Sequence, residues 1–288
     1  GPSPPPHLLA AEFVRKAAYG SRSAILQIFF YFIISQILDE DVRHFAATHM
    51  VASNTVLYGV NFELDELCAF GKAHVPASEE PAPRATASPY VGGEFRREAR
   101  IEEAYVYVGG EGAALDDVPA NAVQVVLMAW LGSCVWAPGR AAIGKGTLEG
   151  IAKQHSPSTV NCAAIQFEGE GLIQFYVEAP PSRVRDVVQD VVNLLKNFKI
   201  DNLEDSKQRA KETLIRADAT RHPIGTAVIR SKEILAGVEK NAVIEAIDNV
   251  TTSQLEAAVR RILSNITIAS LGNSDNIPSR SEIHNWIR

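Results

Sequence analysis

Two β-rich runs, TVNCAAIQFEG and GLIQFYVEA, meet across the turn residues Glu168-Gly-Glu-Gly171. Three to five helices are expected next, over SRVRDVVQDVVNLLKNF, LEDSKQRAKETLIRADA, IGTAVIRSKEILAG and TTSQLEAAVRRILSN, and one last β-rich run, ITIASLG, comes after them. This order restricts the fold more than any other feature of the chain. A hairpin with long helices gathered behind it builds an α+β domain, a mixed or antiparallel sheet packed with helices, and not an alternating doubly wound one. Upstream, GGEFRREARIEEAYVYVGGEG reads as two further strands. In DDVPANAVQVVLMAWLG, Val123, Val126, Leu127, Trp130 and Leu131 recur at helical spacing behind Pro119, which predicts a helix over 119–131. VVLMAWL taken alone also fits a buried strand. TLEGIAKQ reads as a short helix.

The first quarter of the chain is organised differently. LLAAEFVRKAAY has helical spacing, and DEDVRHFAATHM opens with acids suited to a helix N-terminus and places Val42, Phe45 and Ala46 on one face. NTVLYGV, residues 54–60, is β-rich, and ELDELCAFGKA returns to helical spacing. The result reads as a helix–strand–helix unit without a beginning. HVPASEEPAPRATASP then concentrates Pro, Ala, Ser and Glu with almost no large apolar residue, as an exposed linker does, and a domain boundary belongs there.

Composition excludes several function classes. With 46% hydrophobic and 22% charged residues in 288, a packed core is expected. A net charge of -6 and a pI near 5.7 provide no basic footprint for nucleic acid. Cys68, Cys134 and Cys162 are widely spaced and suggest neither a disulfide framework nor a zinc knuckle, so a reducing compartment is the simplest reading. The apolar run AILQIFFYFIISQIL, residues 24–38, contains two Gln and a Ser and falls short of the roughly 18–20 residues that span a bilayer, so it reads as buried or covered by another subunit. The opening GPSPPPH has neither a signal core nor an Arg-rich amphipathic pattern, and the chain reads as a mature or truncated product.

The stretch APGRAAIGKGTLEG comes within one residue of a phosphate-binding loop. Gly139, Gly144 and Lys145 fit, but Gly146 stands where the magnesium-ligating hydroxyl belongs. The segment feeding the loop reads as a helix where a strand is needed, and no strand ending in Asp is placed as a second metal-binding element. The histidines form no zinc pattern: His44 and His49 are five apart, about 140° around an ideal helix, and neither His-Glu-x-x-His nor its inversion occurs. Cys134 has no strand-to-helix elbow and no placed base, so it reads as a semi-buried thiol.

In their order along the chain, several stretches resemble the pitrilysin-type metallopeptidase superfamily, in its mitochondrial branch of processing-peptidase subunits and respiratory complex III core proteins. DVRHFAATHMVASNTVLYGVNFELDEL resembles that family's passage from a helix through a strand ending in Gly-Val to a helix opening with an acid and Leu. YVGGEFRRE resembles the strand that opens the second homologous domain. ANAVQVVLMAWLGS resembles the helix before a glycine-rich loop, and ITIASLGNSDNIPSRSEI the final strand and tail.

The resemblance implies residues 1–74 as the C-terminal part of a first peptidase-like domain, truncated or divergent, 75–91 as a linker and 92–288 as a complete second domain. Nothing matches the family's zinc-binding and catalytic residues, so it implies no catalytic residue, no metal and no cofactor in this chain. It implies a non-catalytic structural subunit of mitochondrial complex III on the matrix side of the inner membrane, peripheral and not spanning. Its partners would be core protein 1 or a β-type peptidase-like subunit, together with cytochrome b, cytochrome c1 and the Rieske protein. Gly144-Lys145-Gly146 also resembles the end of the glycine loop in the α subunit of the processing peptidase, which leaves that substrate-binding role open. In either role Gly132, Gly139, Gly144, Lys145 and Gly146 form a peptide- or partner-contact loop.

Overall fold

A computed structural model of the chain describes residues 5–20, 37–75, 81–83, 86–132, 147–273 and 275–288. The order is α1 (Pro6–Tyr19), α2 (Asp39–His49), α3 (Leu64–His74), β1 (Glu94–Glu98), β2 (Ala104–Glu111), α4 (Val118–Leu131), α5 (Thr147–Gln154), β3 (Thr159–Phe167) and β4 (Glu170–Ala179). After these come α6 (Val184–Lys196), α7 (Leu203–Thr220), α8 (Pro223–Leu235), α9 (Ala242–Ala246), α10 (Thr252–Ser264), β5 (Thr267–Gly272) and α11 (Arg280–Ile287). The strands form one sheet in the order β1-β5-β2-β4-β3. β3–β4, β4–β2 and β2–β5 pair antiparallel, while β1 joins β5 in parallel, so the sheet is mixed.

Alternation along the central strands fixes both faces. Register sets Val106 opposite Val177 and Val108 opposite Phe175, and these side chains enter the main core with Ile173 and Ile268. The intervening pair, Tyr107 and Tyr176, turns to the other face with Leu172, Ala269 and Leu271. The main core is closed by helices with matching stripes. In α6, Val184, Val187, Val188, Val191, Val192 and Leu195 recur at the helical period, and none is more than 1% exposed. α10 contributes Leu255, Val259, Ile262 and Leu263. α10 crosses β2 so closely that a Cβ at Gly110 would lie 2.5 Å from the Ile262 carbonyl oxygen, a distance only glycine permits. α4 is buried nearly all round because α7, α9 and α10 pack on it, which explains its unbroken apolar run.

The opposite face of the sheet is covered by α1. Ala10, Ala11 and Ala18 with Val14 let the helix lie close to β2 and β5. The Tyr19 hydroxyl donates to the Gly171 carbonyl and accepts from the Gly171 amide. The Ala18 carbonyl, orphaned at the helix end, accepts from the amides of Val91 at 2.8 Å and Gly92 at 3.2 Å. Asn265 Nδ2 donates to the Val91 carbonyl at 2.7 Å, so the end of α1, the strand leading to β1 and the start of β5 are tied at one point. The end of α1 and Val91 therefore lie side by side against the sheet unit.

Most expected elements form where the periodicity put them. The hairpin, the helix at 119–131, the short helix TLEGIAKQ and the final strand are all present. Residues 54–60 differ: Ala52–Asn54 is a 3-10 turn and no strand follows. A strand needs a neighbour to receive its amides and carbonyls, and the five strands pair among themselves, leaving Leu57 and Val60 partly exposed. The tail after β5 also holds more order than its sequence suggested. Ser279 and Glu282 form a reciprocal capping box that starts α11, and Glu282 Oε1 receives Arg185 Nη2 at 2.6 Å.

Leu195→Ala, which opens a cavity under α6, is expected to cost about 2–5 kcal/mol in urea unfolding. Tyr19→Phe should cost about 1–3 kcal/mol by taking the hydroxyl partner from the Gly171 amide, the carbonyl keeping the Gly112 amide; an unchanged midpoint in either case would contradict the packing. The Glu282 carboxyl is held down to about 2 by the Ser279 amide and then by Arg185. Because its folded value lies below the ordinary 4.5, its contribution to α11 is complete above that value and is lost as pH falls through about 2. Trp286, whose ring lies 5.5 Å from the Arg185 guanidinium carbon, reports this by fluorescence. Glu282→Gln should flatten the acid limb of the profile, and an identical limb in both proteins would refute the link.

Candidate partner-contact surfaces

The glycine-rich loop is held by two anchored stems. On its entry side Asp117 accepts from the Ala120 amide and starts α4, and the helix ends in Gly132, whose φ of 80° and ψ of 22° give a left-handed cap. On its exit side α5 begins at Thr147 and sends Leu148 and Ile151 into the core. His155 Nε2 and Asp190 Oδ2, 2.7 Å apart, then join the end of α5 to α6. Gly139, Gly144, Lys145 and Gly146 lie outside the described residues, as does Cys134. The element feeding Gly132 is a helix, so the strand that a phosphate loop would need before it is absent at that position.

Among the described residues no group of three or more His, Cys, Asp or Glu stands close enough to hold a metal ion. The histidines have other surroundings. His49 stacks on Phe45 with ring centroids 4.3 Å apart, His74 packs at 4.4 Å from Phe70, and His222 Nδ1 accepts from the Ile224 amide at the start of α8. Burial, with Arg280 and Arg288 nearby, pushes His284 down.

Two apolar surfaces stand out because nothing in the described chain covers them. The first is residues 37–75. No residue of α2 or α3 is buried, and Phe45, Met50, Phe62, Leu64 and Phe70 are all more than half exposed. Val42 and Phe45, expected on one helical face, do share it, and that face meets no core. The second is α8, which buries no residue and exposes Ile224, Val228, Ile234 and Leu235. Exposed apolar surface on this scale marks a contact surface and not a solvated one. The run 24–38 lies outside the described residues except for Ile37 and Leu38, both exposed. No helix among the described residues is long and apolar enough to cross a membrane.

The buried polar groups under α1 were not legible in the sequence. Arg15, only 4% exposed, meets Glu12 at 2.9 Å, and burial pushes its guanidinium down while raising Glu12. Tyr176 donates to Glu178 Oε2 at 2.5 Å beside Tyr107, and burial raises both phenols. Tyr90, hydrogen-bonded to the Asn265 carbonyl, is pushed up to about 12 by burial. The Glu12–Arg15 pair lies within α1 and Tyr176–Glu178 within β4, while Tyr90 joins the segment before β1 to the start of β5. A cleft between α4, α7, α8 and α9 brings Asp218, Arg221, Arg230 and Glu233 together, but Asp218 pairs with Arg221 and Arg230 with Glu233. The arrangement can bind a surface; it contains no nucleophile–base pair.

No curated protein matches the chain. Among solved structures, a chain of the assembly described as "Complex III2 from Candida albicans, Inz-5 bound" is similar over 98% of this chain and 70% of its own length, with a TM-score of 0.82 and 18% sequence identity, a likeness of fold. The family model described as the peptidase M16 inactive domain matches residues 37–214, more than half of the chain. The sheet with its helix layer accords with this match: the chain belongs to the peptidase M16 inactive-domain family.

Proposed function

We propose that this protein is a non-catalytic, structural core subunit of mitochondrial respiratory complex III, corresponding to core protein 2, peripheral to the inner membrane on its matrix side. The observation that carries the reading is the combination of an inactive-domain family with a fold shared, over almost the whole chain, with a chain from a complex III structure. The uncovered apolar faces of residues 37–75 and α8 support it, because a subunit that works by association must leave such faces for its neighbours. The partners in this reading are core protein 1 or a β-type peptidase-like subunit, with cytochrome b, cytochrome c1 and the Rieske protein in the same assembly. Residues 1–74 are then the end of a first peptidase-like domain that lends α1 to the sheet, 75–91 the linker and 92–288 the second domain.

A second reading, an α-type substrate-binding subunit of the processing peptidase, draws on Gly144-Lys145-Gly146. Glycines there would let a backbone approach an extended presequence on behalf of a zinc-bearing partner.

Purification of the native assembly separates the two. Co-migration with haem absorbance is expected for the first reading. Co-migration with presequence-cleaving activity and no haem, abolished when residues 139–146 are deleted, would replace it with the second. Expressed alone, the chain should self-associate or need a partner, and a stable, monodisperse monomer in sedimentation would count against both.

A further inference from the structure

The cleft between α4, α7, α8 and α9 contains a polar group that the fold itself leaves unused. Asn121, near the start of α4, is only 7% exposed, yet its carboxamide has no hydrogen-bond partner among the described residues. It lines the cleft together with Val125, one helical turn further on. A buried amide without a partner costs stability, and an aliphatic side chain of similar size would pack there at less cost.

The space in front of Asn121 has the size of a ligand site. The cleft measures about 450 Å³, within the range of small-molecule pockets. Leu115, Val125, Leu214, Ile229, Val238 and Val243 give it aliphatic walls. Its corner between α8 and α9 is firmly built. The Val238 amide donates to the Glu233 carbonyl at 2.8 Å and the Ala242 amide to the Glu239 carbonyl at 3.2 Å, while Asn241 turns the chain in the left-handed region at φ 66°. Among the described residues no aromatic ring lines the cleft, so a flat aromatic ligand would gain no stacking.

Charge and geometry narrow the ligand further. The acids Asp218, Glu233 and Glu239 are balanced by the bases Arg221, Arg230 and Lys240, so no excess of either sign draws an ion into the cleft. The Asn121 carboxamide presents a donor and an acceptor side by side. Another primary carboxamide satisfies both at once, whereas a trans peptide bond points its N–H and C=O to opposite sides.

We propose that this cleft binds a neutral aliphatic amide, whose carboxamide pairs edge to edge with Asn121 and whose hydrocarbon chain lies on the aliphatic walls. The inference does not rest on the complex III reading, and the two fail separately.

The test applies decanamide with a diazirine on its chain to the native assembly that contains the full chain, and sequences the photolabelled peptides. Saturable labelling is expected on the cleft-lining residues of α4, α7 and α9. Excess decanamide should displace it at concentrations at least about tenfold lower than decanoate or decylamine, as a neutral site requires. Labelling only elsewhere, labelling that does not saturate, or displacement by either ion as readily as by decanamide overturns the proposal.

Asn121→Leu should cut labelling of the cleft at least about tenfold. The temperature at which the chain leaves the soluble fraction should stay the same or rise, because hydrocarbon replaces an unpartnered amide. Ile215→Trp, at a position on the lip that is 56% exposed, should also cut labelling without lowering that temperature. Full labelling of Asn121→Leu would mean that the carboxamide serves water only, and a transition lowered by more than about 5 °C would show that Asn121 has a structural partner; either result overturns the proposal.

Discussion

The structure depends on burying both faces of one sheet at its centre. β4 and β2 lie between other strands, so neither has a free edge, and their side chains alternate between two different cores. On one side Val106, Val108, Phe175 and Val177 meet the helix layer of α4, α6 and α10. On the other, Tyr107, Leu172 and Tyr176 meet one helix, α1, contributed from far upstream. A one-residue slip between β2 and β4 would exchange the two sets, placing tyrosines in the aliphatic core and valines beneath Arg15. Register, helix layer and α1 docking are therefore one constraint.

The cost of that arrangement appears on the outer face, where polar groups are buried. Tyr19 closes both of its hydrogen bonds on Gly171, and Arg15 meets Glu12 on its own helix. The Tyr19 bonds specify where the helix sits, since a shifted helix would leave the buried Gly171 amide without its hydroxyl partner. The same face fixes the end of α1 beside Val91. The surfaces that remain apolar and exposed, on residues 37–75 and α8, lie outside the sheet unit's own core, and none of the described residues covers them.

Legibility in the sequence followed the range of the interactions involved. The hairpin at 159–179, the stripe of α6 and the capped helix α10 are local patterns, and each was visible as periodicity with its turn or cap residues. NTVLYGV carries β-branched and aromatic residues as a strand does, yet forms none, because strand formation needs a neighbour that its own composition cannot supply. α11 was missed although Ser279 and Glu282 spell a capping box, a signal that was available. The buried state of Arg15 had no local sign, since the residues that cover it come from the sheet. Of the proposed contact loop, the sequence named its glycines, and the structure adds the left-handed cap at Gly132 and the anchored start of α5.

By itself the sequence determined the class of fold, an α+β unit with a mixed or antiparallel sheet, together with the absence of a zinc or phosphate motif and the resemblance to the peptidase family. The first two follow from periodicity and spacing, which a single chain carries within windows of ten to twenty residues, and the resemblance from the order of particular stretches along the chain. Only the tertiary structure decided that β1 pairs in parallel at the sheet edge, that α1 closes the outer face, and that α8 and residues 37–75 are left without a core. Those outcomes depend on which distant surfaces meet, and an apolar stripe has the same sequence whether it is buried within its own chain or kept for a partner.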